Sequence, residues 1–302
     1  MKNKKRNFPN ALLNIAIIIL AVMCIVFFCY SPFIELINSI NSTKIIKTYK
    51  KQTESLNDEE IGSILKDAYE YNDFLKNNVR IKDRTFHENE YKAKPYDEIL
   101  NMSTDGIIGI VTVPSIDIKL PIYHGTSEEV LDKGIIHLKN TSFPVGGTGT
   151  HAVLSGHTAY PGKIFFDRLP EAKEGEYVYI TILGHIYSYK ICNIYVVLPE
   201  DMDKYSIEKD RDIITLMTCT PYSINTHRLL VRAERDLEAE SEINEKSENN
   251  RQNQLEIISN LNYYILVKLI FMIIGIIAVF ILASFISNNF FNSKQQKKGY
   301  KQ

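Results

Sequence analysis

Tryptophan is absent from this 302-residue chain, so aromatic packing falls to 18 Tyr and 14 Phe. Cysteine is scarce. Of the four, Cys24 and Cys29 lie in a strongly apolar run, leaving only Cys192 and Cys219 elsewhere. That is too few for a small domain stapled by disulfides, although a single Cys192–Cys219 bridge is left open. No basic block occurs outside the two ends, and the formal net charge is −1. A phosphate-reading surface needs clustered Lys and Arg, so nucleic acid is excluded as a partner. Paired His/Cys spacing of the zinc type is also missing, and no metal or other cofactor is expected. The glycine-rich "VGGTGT" (145–150) has no following Lys and no helical continuation, so it reads as a turn rather than a phosphate cradle.

Hydrophobic residues make up 45% of the chain, enough for one domain with a real core. Two runs stand apart from it. Ala11–Tyr30 and Ile265–Ile286 are each about 20 residues of almost unbroken apolar sequence, which at 1.5 Å per residue span a hydrocarbon core of about 30 Å. The first is too long for a signal-peptide core and lacks a small-x-small exit, so it is expected to remain as an anchor. Met23 and Phe28 precede its cysteines, where lipid attachment would call for a small residue. Lys2, Lys4, Lys5 and Arg6 precede the first run, and Lys294, Lys297, Lys298 and Lys301 follow the second. The positive-inside rule then predicts a two-pass protein of the cell membrane. Residues 1–10 and 287–302 would be cytoplasmic tails and the intervening domain extracellular. An enzyme placed outside has no ATP, so any bond it makes must draw on one it breaks.

Between the runs, residues 31–104 are polar with helical spacing, as in Ile61, Leu65, Ala68 and Tyr69. Residues 105–235 change to short alternating or β-branched runs separated by turn signals, the texture of a mainly-β barrel or sandwich. Strands are expected within 106–125, 150–157, 176–183, 185–199 and at "DIITLMTC" and "HRLLVRAE". Residues 236–264 are acidic and rich in Asn and Gln, and read as a solvated polar stalk.

Cys219 closes "DIITLMT" just before Thr220-Pro221 ends the strand, which puts it at a sheet edge or barrel rim. A thiol there acts as a nucleophile only as thiolate, which a nearby cation favours. Arg228 begins the next strand and supplies one. From these residues alone, the pair reads equally as a core cysteine and a surface arginine. Among His124, His137, His151, His157 and His227, the last adjoins Arg228, but neighbours on a strand face opposite ways. His157 ends a buried-looking strand through Ser155-Gly156 and is the better candidate for acid–base work.

"LSGHT", "IFFDRL" and "TLMTCTPYSINTHRLLVRAER" together resemble the sortases, membrane-bound cysteine transpeptidases of Gram-positive bacteria. "LPIYHGTSEEVLDKGIIHL" is most similar to the class C, pilus-assembling group. The resemblance covers residues 105–235 and implies an eight-stranded sortase β-barrel with short helices, bearing an N-terminal helical extension. It implies Cys219 as nucleophile, His157 as general acid and base, and Arg228 as the stabiliser of the substrate carbonyl or oxyanion. Its substrates would be pilins or surface proteins with an LPxTG-like sorting signal, cleaved between Thr and Gly. The acyl group would pass to an amine, a pilin lysine or a cell-wall precursor. Attachment of single proteins to the wall and hydrolysis by a tethered cysteine endopeptidase are the alternatives. Class C members carry an Asp-Pro-aromatic lid, whereas "RIKDRTFHE" (80–88) has Arg84 and Thr85 after Asp83. Asp83 and Phe86 are the lid residues implied, without the proline that restricts the turn.

Overall fold

The β-branched runs form strands because their alternate side chains can bury on one face of a sheet while the ladder satisfies the backbone. The computed structural model describes residues 8–78, 93–102, 106–125 and 128–249, together with Ile270 and Ile273. Eight strands close into a barrel: β1 (Ile107–Val113), β2 (Ile118–Gly125), β3 (Ile135–Leu138), β4 (Thr150–Ser155), β5 (Tyr177–Ile182), β6 (His185–Val197), β7 (Asp212–Thr220) and β8 (His227–Arg235). Their order around the barrel is β1-β2-β3-β4-β7-β8-β6-β5, with β5 returning to β1. Closure pairs every strand with a neighbour on each side. Two neighbouring pairs, β2–β3 and β4–β7, are parallel. The expected runs became strands, but β3 was not anticipated as one. Its four residues are too short for a period-2 signal and owe their extension to ladders on both sides.

Two compact units divide the chain, residues 37–249 and residues 1–36 with 250–302. In the first, the helical extension expected from sequence comprises the end of α1 (Phe8–Glu54) and all of α2 (Asp58–Asn78). Asn57 and Glu60 form a reciprocal cap: the Glu60 amide donates to Asn57 Oδ1, and the Asn57 amide to Glu60 Oε2, both at 2.9 Å. With Asp58, Glu59 and Glu60 in the first turn, "NDEE" starts a helix where the dipole favours negative charge. Ala68, Tyr71 and Leu75 then join the barrel core. Three buried polar side chains fix the extension. Tyr49 donates to the Ile108 carbonyl and accepts from the Leu183 amide, each at 3.0 Å. Asn72 exchanges two hydrogen bonds with the backbone of Phe143. Tyr96, from the segment after α2, reaches His137 Nδ1 at 2.8 Å.

The stretch read as a solvated stalk instead begins with a docked helix, α4 (Leu237–Asn249). Here β6 continues past β8, whose pairing with it stops at Tyr189, and α4 replaces the missing strand with side chains. The Asp236 amide donates to Ser188 O, Glu240 accepts from Ser188 N, and Asn244 bonds both N and O of Ile186. Glu240 and Asn244 lie four positions apart on one face of α4, and Asp236 just before the helix adds its backbone amide. A hydropathy reading misses this because the docking face is polar. All four cysteines are free, which settles the question of a Cys192–Cys219 bridge.

In the other unit, the first apolar run is part of α1, and its Ile17, Ile18, Phe27 and Phe28 are exposed. The second lies outside the described residues except for Ile270 and Ile273. Among the described residues no helix is long and apolar enough to cross a membrane, so the fold does not support the two flanking spans.

Glu240 makes the α4 junction sensitive to acid. Burial alone would raise its carboxyl, but hydrogen bonds from His185, Arg235 and Ser188 outweigh it and hold the group at about 2. Arg235 also pairs with Asp212 at 3.0 Å, where burial wins and the carboxyl is raised. A depressed carboxylate stabilises the fold above its unfolded value of 4.5 and loses that contribution as pH falls towards about 2. Denaturation midpoints measured from pH 7 to pH 2 should therefore fall most steeply below pH ~4.5. Glu240→Gln should flatten that limb and cost roughly 2–4 kcal/mol at pH 7, because Arg235 loses a buried partner.

Candidate active site

Strand alternation divides β7 into two faces. Ile214 and Leu216 join the barrel core with Leu154, Leu229 and Val231. Thr215, Met217 and Cys219 take the outer face. The register with β8 puts Arg228 directly opposite Cys219, and pairs His227 with Thr220 on the other face. Arg228 is thus the residue brought to the cysteine, while the His227 ring binds Thr226 Oγ1 at 2.9 Å.

The other neighbour of β7 is β4, and their parallel register pairs Ser155 with Met217. His157 and Cys219 each lie two residues further on, at adjacent strand ends. Two bonds clasp those ends: Gly156 N donates to Met217 O at 3.0 Å, and Thr218 Oγ1 donates to Gly156 O at 2.8 Å. Gly156 must lack a side chain. A Cβ there would stand 2.5 Å from Ile135 Cδ1 and 2.8 Å from Phe166 Cδ2. The chain then turns over Phe166, whose amide donates to His157 O at 3.0 Å, and Asp167 accepts from the amides of Ala159 and Phe165.

Outer-face burial changes along β7. Thr215 is 1% exposed, beneath the connection from β6 to β7. That connection bonds His151 Nδ1 through Ser206 O at 2.9 Å and Met217 Sδ through the Tyr205 hydroxyl at 3.0 Å. It stops short of Cys219, which is half-buried. Exposed Tyr222 and Ile224 follow it in the connection between β7 and β8. Among the described residues Cys219 Sγ makes no hydrogen bond, which leaves it available to a reacting carbonyl. The Arg228 guanidinium donates to the carbonyls of His227 at 3.1 Å and Asn225 at 3.3 Å. No carboxylate is paired with it among the described residues, and a fixed guanidinium here suits a substrate oxygen.

His157 stacks on Tyr160, with ring centroids 5.0 Å apart, and its Nε2 lies 3.5 Å from Asp132 Oδ1. The remaining histidine candidates are structural. Burial pushes His137 down to about 3 and His151 down to about 4. It lowers His124 as well, against the Ile99 carbonyl at 2.6 Å. Neutral buried rings of this kind carry hydrogen bonds rather than exchangeable protons. Asp83 and Phe86 lie outside the described residues. Among those described, no three His, Cys, Asp or Glu side chains converge as a metal site. Sequence reasoning missed Asp132 and Tyr160. "VLDKG" and "TAYPGK" carry no pattern linking them to His157, and only the fold brings them together.

A closed β-barrel with a thiol, an imidazole and a guanidinium at adjacent strand ends is suited to acyl transfer through a thioester. Residues 111–236 match the Sortase domain model. Sortase C1 from Streptococcus agalactiae is 36% identical in a structural match covering 64% of this chain and 98% of that one, with a TM-score of 0.59. Sortase C from Clostridium perfringens, solved with the C-terminal cell wall sorting motif, is 38% identical, with coverage of 64% and 98% and a TM-score of 0.56. Sortase A of Streptococcus agalactiae serotype III (strain NEM316) is 29% identical over 172 residues, covering 51% of this chain and 69% of that protein. The chain belongs to the sortase family of cysteine transpeptidases.

Gly156→Ala tests the clasp. Overpacking against Ile135 and Phe166 should cost ~1–3 kcal/mol of stability. Displacement of His157 should lower the rate of peptide cleavage at least tenfold at temperatures where the variant stays folded. Chemical denaturation and single-turnover cleavage measure the two separately.

Proposed function

We propose that this chain is a class C sortase that polymerises pilins. The register is the observation that carries the reading: Arg228 opposite Cys219, and His157 at the end of the parallel neighbour. Likeness to sortase C of two organisms supports the class.

In this reading, Cys219 thiolate attacks the carbonyl between Thr and Gly of an LPxTG-like sorting signal. Arg228 holds the oxygen as charge develops on it, at a partly desolvated rim where a fixed cation counts for more than in water. His157 protonates the departing glycine amine as the C–N bond breaks. The thioester keeps the acyl group activated, so no external energy source is needed. A lysine amine of the next pilin then attacks, His157 takes its proton, and a new amide forms as the C–S bond breaks. The C-terminal cell wall sorting motif with which the Clostridium perfringens enzyme was solved is of the chemical class this site would take.

Membrane attachment is part of the same proposal. The length of the apolar runs 11–30 and 265–286, and the lysines outside them, support a two-pass arrangement with the barrel outside the cell.

Two experiments test these steps. Incubated with a pilin bearing an LPxTG-like terminus, the wild-type chain should give high-molecular-weight ladders joined by new amides, and Cys219→Ala none. Single proteins joined to a wall precursor, or hydrolysed acid as the product, would count against polymerisation. Fractionation of producing cells should place the full chain in membranes and a chain lacking residues 1–30 and 265–302 in the soluble fraction.

A further inference from the structure

Asp132 belongs to none of the strands. It follows α3 (Glu128–Leu131) in the turn before β3, well apart in sequence from the three residues proposed for catalysis. Its carboxylate nonetheless faces His157 Nε2 at 3.5 Å, an ion-pair distance rather than a tight hydrogen bond. The Tyr160 phenol is near enough to the same carboxylate to be raised by it, with burial adding to the shift. Tyr160 closes the arrangement by stacking on the imidazole at 28° between planes. Phe165 lies against both rings, with centroids 6.4 Å from His157 and 6.1 Å from Tyr160.

The turn is itself tied down. Lys163 Nζ donates to the Asp132 carbonyl at 2.5 Å and lies 5.6 Å from the Tyr160 ring centroid. The Lys133 amide donates back to Val130 O at 2.9 Å. The backbone of the turn is therefore fixed on both sides of Asp132, with the carboxylate at one nitrogen of an imidazole that Tyr160 stacks against.

We propose that Asp132 is the positioning residue for His157, with Tyr160 as the support that aims it. This rests on the sortase reading above. A carboxylate at Nε2 keeps a proton on that nitrogen and assigns proton exchange to Nδ1. In acylation the Nδ1 proton passes to the leaving amine as the Cys219 S–C bond forms and the substrate C–N bond breaks. The ring becomes neutral and Asp132 stays ionised. In the second step Nδ1 takes a proton from the attacking amine as the new C–N bond forms and the S–C bond breaks, so charge and protons return to the start. By fixing the ring, Asp132 also sets how the imidazole meets the Cys219 thiol, which alkylation of that thiol reads.

The test uses the full chain with Asp132→Asn, Asp132→Glu and Tyr160→Phe. The first readout needs no sorting signal: the rate of Cys219 carbamidomethylation by iodoacetamide at pH 7, followed by mass spectrometry. Asp132→Asn should slow it at least tenfold, Asp132→Glu should recover it to within about threefold of wild type, and Tyr160→Phe should slow it two- to fivefold. The second is cleavage of an LPxTG peptide, where Asp132→Asn should lower kcat at least tenfold with KM within twofold. Asp132→Asn within twofold of wild type in both alkylation and kcat overturns the proposal. So does Asp132→Glu no better than Asp132→Asn. If Asp132→Asn does not fold, the other two variants decide by the same alkylation criteria. A wild-type chain that alkylates at Cys219 but never cleaves the peptide sinks the sortase reading, while the alkylation comparison still decides the role of Asp132.

Discussion

Parallel pairing of β4 with β7 is the constraint on which the site depends. A parallel ladder advances both chains in one direction, so two strands that end together present their exits side by side. Ser155 against Met217 sets that register, and the clasp between Gly156 and residues Met217 and Thr218 carries it one residue beyond the ladder. The antiparallel pairing of β7 with β8 then fixes Arg228 across from Cys219. Three side chains at the ends of three strands come to one rim through the ladders and the clasp. Side-chain contacts within the trio are not needed to hold it.

The scaffold around that rim is buttressed at places remote from it. Tyr49, Asn72 and Tyr96 each insert a polar group into buried backbone, where an unpaired amide or carbonyl would cost ~1–3 kcal/mol. At the opposite side, α4 completes the free edge of β6, and Arg235 joins Glu240 to Asp212. Gly146 must be glycine there, since it has φ +76° and a Cβ would run into the Arg235 guanidinium. These ties hold the N-terminal extension and α4 against the barrel. Precision at the rim follows from such support.

Much of this was legible in the sequence, and the failures have physical causes. Period-2 runs marked seven of the strands because half-buried strands must alternate. Strand parity also separated Arg228 from His227, and the register agrees. By contrast β3 was lost because four residues hold too little pattern, and its extension comes from its neighbours. The polar face of α4 was read as solvated because hydropathy cannot tell a carboxylate facing water from one facing the bare edge of β6. Asp132 and Tyr160 left no trace, since their meeting with His157 is a product of the closed barrel. Asp83 and Phe86 lie outside the described residues, so the lid implied by resemblance has no structural counterpart to compare.

The central step proposed for this chain is a thioester on Cys219 that an amine then resolves. Intact-protein mass spectrometry after rapid mixing with an LPxTG peptide measures it directly. The account predicts an adduct equal to the peptide portion ending at Thr, mapped to the fragment bearing Cys219. Added amine should discharge it into an amide. An adduct on another residue, or amide formed with Cys219 never modified, would contradict it.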